Sequence, residues 1–272
     1  MTGSDALLET RLRIVTWNVW WRFGPWERRQ RAIAATLASL DADVVTLQET
    51  WGEDPGAGQP YRLGAELGYE VAYAEGLRAG DHGFGNAVLS RWPIVASETE
   101  QLPAPAGKDE LRTVLKVVVD GPRGEFEVYT THLNWRFEQS DVRQLQVGAI
   151  AEFVGGSSRR DYPPLLTGDL NADPASDEVR MLTGRRAVPV DGLVFHDAWE
   201  LAGDGVGDTW DNANPFAARD LEPSRRIDYV LVGWPYGERG GGHPLVARVE
   251  GKHAVDGAVG SDHWAVYAEL RY

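Results

Sequence analysis

The stretch Pro164-Leu165-Leu166-Thr167-Gly168-Asp169-Leu170-Asn171 decides how this chain is read. A short apolar run bounded by turn residues predicts a buried strand. Two groups that prefer water, Asp169 and Asn171, stand at its C-terminal end. The pattern recurs along the chain. Asn18 follows Ile14-Val15-Thr16-Trp17, Glu49 follows Val44-Val45-Thr46-Leu47-Gln48, and His132 follows Val128-Tyr129-Thr130-Thr131. Asp228 lies within Arg226-Ile227-Asp228-Tyr229-Val230-Leu231, and Asp262-His263 precede the last apolar run. Taken singly, each is more often a turn former or a surface ion pair. Together they predict one convergent site, because open α/β sheets gather ligands at strand ends.

The residue types are chemically coherent. Asn18, Glu49 and Asp262 supply hard oxygen donors, which suit Mg²⁺ or Mn²⁺ and not Zn²⁺. His263 is a candidate acid/base group, and Asp228 is a carboxylate able to fix its tautomer. Asp169 can accept a proton from water, and Asn171 can donate to a phosphoryl oxygen. That set equips a protein for metal-assisted attack of water on a phosphate ester.

Around these points strands and helices alternate. Leu12 to Trp17 and Val44 to Leu47 read as strands, with a helix after Pro25 that shows Ile33, Leu37 and Leu40 on one face. A helical piece from Arg62 to Leu67 stops at Gly68. Short strands are predicted at 86–90, 94–99, 112–119, 125–131, 164–167, 227–232, 245–250 and 264–270. Ser140 is expected to cap a helix with Val142, Leu145, Ala149 and Phe153 on its buried face, and 176–182 to be helical. Residues 52–59 and 202–224 read as irregular, the second long enough to suggest a lid. No linker or fixed-period repeat divides the chain, so one domain over 1–272 is expected.

Composition narrows the function. The 272 residues carry 27 Lys and Arg against 41 Asp and Glu, a net charge of −14. Setting aside the four site carboxylates leaves the surface acidic, which argues against a non-specific binder of long duplex nucleic acid. A bound cation can still reverse the sign locally. With no cysteine, disulfides, thiolate metal sites and a cysteine nucleophile are excluded. There is no apolar run of membrane-spanning length and no secretory h-region before Arg13, so a cytoplasmic location is expected.

The ordered motifs Thr16-Trp17-Asn18, Leu47-Gln48-Glu49-Thr50, Thr131-His132-Leu133, Gly168-Asp169-Leu170-Asn171, Arg226-Ile227-Asp228-Tyr229 and Ser261-Asp262-His263 resemble those of the endonuclease/exonuclease/phosphatase superfamily, the DNase I-like fold. Gly85 to Ile94 resembles a further strand of that group. The resemblance implies an α/β, four-layer sandwich of two packed, mostly antiparallel sheets flanked by helices. It also implies a Mg-dependent phosphoric ester hydrolase, with Glu49 as principal Mg²⁺ ligand and Asn18 and Asp262 nearby. His263 with Asp228 would form the catalytic dyad, Asp169 would activate water, Asn171 would hold the phosphate, and His132 would stabilise charge or protonate the leaving oxygen. His132 disfavours the abasic-site endonuclease branch, which has tyrosine there. Asn171-Ala172-Asp173 and Arg225-Arg226-Ile227-Asp228 disfavour the inositol polyphosphate 5-phosphatases. What remains is a bacterial-type member acting on a small, lipid or nucleic-acid phosphoester; the alternatives are a nuclease using the same mechanism and a silent binding module.

Eleven tryptophans make an aromatic rim the remaining question. Trp20, Trp51 and Trp135 are expected to be exposed at the site, where they would select substrate together with Arg136, by stacking, by cation–π contact or by apolar packing. His82, His196, His243 and His253 show no metal-ligand spacing and read as ordinary surface or loop histidines.

Overall fold

The computed structural model describes residues 6–53, 56–104, 111–157 and 160–272. One sheet is built from β1 (Arg11–Asn18), β2 (Val44–Glu53), β3 (Ala57–Gly58), β4 (Glu70–Ala79), β5 (His82–Ser90), β12 (Pro244–Glu250) and β13 (Ala265–Arg271). Its order is β12-β13-β1-β2-β5-β4, with β3 paired to β2. The other is built from β6 (Ile94–Gln101), β7 (Thr113–Gly121), β8 (Gly124–His132), β9 (Leu165–Asp169), β10 (Val194–Asp197) and β11 (Asp228–Trp234), in the order β10-β11-β9-β8-β7-β6. The two sheets pack face to face through Leu12, Ile14, Val44 and Val88 on one side and Leu115, Val117, Val128, Leu165 and Val230 on the other. Helices α1 (Trp26–Leu40) and α2 (Gln59–Leu67) cover the outer face of the first sheet with Ile33, Leu37 and Leu63. Helices α3 (Ser140–Gly155) and α4 (Asp177–Leu182) cover the second with Val147, Ile150, Val154, Val179 and Leu182. The expected four-layer sandwich is therefore observed.

Each sheet is antiparallel except at one pair, β1 with β2 and β8 with β9. A parallel neighbour needs a crossover, and α1 and α3 supply the two. The consequence is positional: β1, β8 and β9 end on Asn18, His132 and Asp169, and β2 carries Glu49 beside them at the register break within the strand. Antiparallel neighbours complete the set. Asp228 opens β11 opposite Asp169, and His263 precedes β13, which runs against β1. Gly168, at φ +134°, permits the close approach of β9 to β8, since a Cβ there would collide with the Thr131 carbonyl.

Several local expectations are corrected. β4, β10 and a short α5 (Ala198–Ala202) were not anticipated, and β2 runs on through Glu53 into the stretch read as irregular. The buried face of α3 consists of Val142, Arg143, Gln146, Val147, Ile150, Ala151 and Val154, with the expected Ala149 and Phe153 packed partly buried at its edges, while Leu145 is exposed. Gln146 displaces the pattern because it is buried against Asn134: its amide nitrogen donates to Asn134 Oδ1 at 2.7 Å, and its oxygen accepts from the Asn134 N–H at 3.2 Å. Ser140 begins the helix and caps nothing; its hydroxyl donates to Glu178 at 2.8 Å, beside a buried Arg143–Glu178 ion pair that ties α3 to α4. Among the described residues no helix is long and apolar enough to cross a membrane.

Candidate active site

A cleft of 410 Å³ opens at the strand-end edge. Glu49, His132, Asp169, Asn171, Asp262 and His263 line it, with Trp20, Phe23, Phe84, Arg112, Trp135, Trp210 and Glu222. Asp169 is its hub. Oδ2 accepts from Asn18 Nδ2 at 3.0 Å and lies 3.5 Å from His132 Nε2 and 3.7 Å from His263 Nε2, so groups from both sheets meet on one oxygen. Oδ1 accepts the backbone N–H of Asn171 at 2.9 Å. Asn171 holds φ at +50° and spends one amide hydrogen on the Leu133 carbonyl at 3.1 Å. Burial, with the neighbouring Asp228 carboxylate, pushes the Asp169 carboxyl up to about 6.

His263 and Asp228 form the expected dyad, Nδ1 to Oδ2 at 2.9 Å. Burial disfavours the imidazolium, but Asp228 and Asp169 outweigh it and raise the group well above the usual histidine range. The Trp210 ring stands edge-on at 5.1 Å. His132 goes the other way: burial, Arg112 and His263 hold it neutral. Arg112 Nη1 lies 2.9 Å from His132 Nδ1. A guanidinium can only donate, so Nδ1 accepts and the ring proton sits on Nε2, facing the cleft.

Glu49 sits where the β2–β5 register breaks between Leu47 and Thr50, with φ at +52°. That bulge turns a side chain which regular pleating would direct elsewhere. Asp262 faces the same cleft; burial pushes it up to about 7, with His263 opposing and Glu49 adding to the shift. Two carboxylates held against repulsion in a cleft are a donor set for a hard divalent cation. Asn18 stands beside it. Its Nδ2 donates to Glu49 at 3.1 Å as well as to Asp169, and its oxygen accepts the Trp20 N–H at 3.0 Å. Asn18 thus braces two acids. Asp169, Asp228 and His263 also present ligand atoms within 4.8 Å of one another, but the His263–Asp228 hydrogen bond already satisfies that cluster internally.

The aromatic expectations divide. Trp135 is exposed and lines the cleft, with Arg136 stacked over it at 4.7 Å and outside the lining. Trp20 reaches the cleft but is half-buried against Phe216 at 5.0 Å. Trp51 is a correction: it is 1% exposed, packed edge-on to Trp26 at 5.7 Å with Arg62 over its face, and takes no part in the cleft. The loop 202–224 is a pinned wall and not a loose flap. Thr209 and Asn214 are fully buried, Asn214 Nδ2 lies 2.9 Å from the carbonyls of both Ser261 and Asp262, and Trp210 bridges to His263.

Arg29 and Arg112 were missed. Arg29 is fully buried and donates to the carbonyls of Val19, Trp20, Trp21, Phe23 and Gly260, clamping the segment after Asn18 to the segment before Asp262. A signal existed, since Arg29 falls on the same helical stripe as Ile33 and Leu37. Arg29→Met is expected to lower the unfolding free energy by about 3 kcal/mol, because a buried carbonyl left without a donor costs ~1–3 kcal/mol and water recovers part of the total. Urea denaturation checks this; a loss below ~1 kcal/mol would mean that the clamp is dispensable.

Known proteins share this architecture. Protein angel of Drosophila melanogaster is 29% identical over 225 residues, covering 77% of this chain and 62% of its own length. "Putative neutral sphingomyelinase" of Caenorhabditis elegans is 25% identical over 263 residues, covering 81% of this chain and 58% of its own. The chain thus spans about three fifths of these curated relatives. The crystal structure of an endonuclease/exonuclease/phosphatase from Beutenbergia cavernae superposes with a TM-score of 0.70 at 26% identity, over 96% of this chain and 71% of that one. The Endonuclease/Exonuclease/phosphatase family pattern matches residues 15–263, from β1 to the histidine that closes the cleft, and the chain belongs to that family.

Proposed function

We propose that this protein is a divalent-cation-dependent phosphoric ester hydrolase, with Mg²⁺ as the working ion. The observation that carries the reading is Asp169 Oδ2, a buried carboxylate oxygen near neutrality in its proton affinity, set among Asn18, His132 and His263 in one cleft. A carboxylate so poised is a suitable acceptor for the proton of an attacking water. His263, kept cationic by Asp228, is the matching proton donor to the departing ester oxygen. His132, neutral with its proton on Nε2, and the spare amide hydrogen of Asn171 donate hydrogen bonds to charge that builds on the phosphoryl oxygens. A cation held by Glu49 and Asp262 would supply further positive charge to the phosphate. One proton leaves water for Asp169 and one leaves the His263 imidazolium for the leaving group; transfer from Asp169 Oδ2 to His263 Nε2, 3.7 Å apart, then restores the cleft. The net charge of −14 favours a small or locally held ester over long duplex DNA.

The test is a panel of bis(p-nitrophenyl) phosphate, p-nitrophenyl phosphate, single-stranded DNA and RNA, and choline-phospholipid vesicles, each with Mg²⁺ and with EDTA. Hydrolysis of at least one ester, abolished by EDTA, is expected. Silence on all of them with Mg²⁺ bound would overturn the catalytic reading in favour of a binding module.

A further inference from the structure

A second cavity, of 330 Å³, adjoins the catalytic cleft. Phe23, Phe84, Arg112 and Trp135 line both spaces, and Trp21, Leu77 and Ala79 complete the second. Its walls come from four places: the segment after Asn18, the β4–β5 hairpin, where Leu77 pairs with Phe84, Arg112 just before β7, and the segment after His132. Phe23 and Trp135 are 46% and 48% exposed and form its rim. Trp21 packs on Phe23 at 5.4 Å and on Phe84 at 6.3 Å, and its indole N–H is spent on the Gly83 carbonyl at 2.9 Å.

We propose that this cavity is the subsite for one ester substituent of the substrate, and that the substituent is apolar. The proposal rests on the hydrolase reading above, and continuity with the cleft supplies the connection: a phosphate lying against His132 and Arg112 has this cavity as its neighbour. The lining chemistry selects the occupant. Among the described residues, none of the seven lining side chains carries a hydrogen-bond acceptor. A nucleobase buried there would leave its N–H donors without side-chain partners, which is costly out of water. A quaternary ammonium would find aromatic faces, but also the permanent positive charge of Arg112 at the shared edge. An aryl ring or an alkyl chain meets neither objection, and the guanidinium then stands at the phosphate end of the site, where a cation belongs.

The experiment measures binding to the 272-residue chain by titration calorimetry in Mg²⁺. The probes are methylphosphonate, phenylphosphonate, hexylphosphonate, AMP and phosphocholine. Phenyl- and hexylphosphonate are expected to bind about tenfold or more tightly than methylphosphonate, from the area they bury; the stronger of the two identifies an aromatic or an aliphatic substituent. Leu77→Asn, which makes the wall polar, and Ala79→Trp, which fills the space, should each cut that advantage to about threefold or less. Equal binding of methyl-, phenyl- and hexylphosphonate, tightest binding of AMP or phosphocholine, or survival of the advantage in both variants would overturn the proposal. Hydrolysis of methyl p-nitrophenyl phosphate, followed in parallel, reports on the catalytic reading separately. A binding preference without hydrolysis sinks that reading and keeps the subsite; hydrolysis without a preference does the reverse.

Discussion

Asp169→Asn is expected to lower the hydrolytic rate by about 10²–10⁴-fold, the usual contribution of a positioned proton acceptor, in a protein that still folds. The side chain is fully buried, and its oxygens accept from Asn18 and Asn171 while facing two histidines. An asparagine keeps the shape and one acceptor, so the Asn171 turn survives. It cannot take a proton from water, and it turns an N–H₂ toward the Asn18 donor. It also removes a buried carboxylate whose ionisation burial opposes, which offsets part of the lost hydrogen bonding. Single-turnover rates and thermal melts on the same preparation separate the two effects. His263→Ala should act on the same step, so the double variant should fall little below the worse single one, as for residues that work as a unit. Activity within tenfold of wild type in Asp169→Asn would remove it from the proton path.

What could be read from the sequence follows a physical rule. Central strands announced themselves because they are buried on both faces and continuously apolar, and a polar residue at such a strand's end is conspicuous; this is how Asn18, Glu49, His132 and Asp169 came into view. β4 did not, because its inward positions are Ala72 and Ala74 and its outward ones Val71 and Tyr73, an alternation too shallow to register. The α3 face was misread because a polar residue, Gln146, belongs to it. Trp51 was misplaced because distance along the chain from Glu49 says nothing about direction once a bulge reorients the strand. Arg112 leaves no local mark, since its contact with His132, twenty residues away, exists only in the fold.

Glu49→Gln is expected to abolish the stabilisation that Mg²⁺ gives the folded chain and to lower turnover on the order of 10³-fold, taking several kcal/mol as the worth of a cation's charge in the transition state. The pH dependence in the wild type is the informative part. Asp262 titrates near 7 in the fold because it is buried, with Glu49 adding to the shift, and near 4 when unfolded. Its folded state therefore binds a proton more tightly than the unfolded state. The associated stability is present below about pH 4 and is lost as pH rises towards 7. Above that range the ion-free fold holds a charged, buried Asp262 beside Glu49, with His263 and Arg29 offsetting only part of the cost. A cation takes the proton's place, so saturating Mg²⁺ should raise the melting temperature more at pH 8 than at pH 5. In Glu49→Gln one charge is gone, the repulsion on Asp262 is relieved, and the Mg²⁺-dependent shift should vanish at both pH values. Differential scanning fluorimetry with and without Mg²⁺ reads this directly. A full shift retained in Glu49→Gln would move the ion to the other group of ligand atoms, Asp169, Asp228 and His263. Asp228→Asn would then remove the shift, and the dyad's hydrogen bond would have to open to admit the ion. The 2.9 Å contact between His263 and Asp228 is the reason to expect the first outcome.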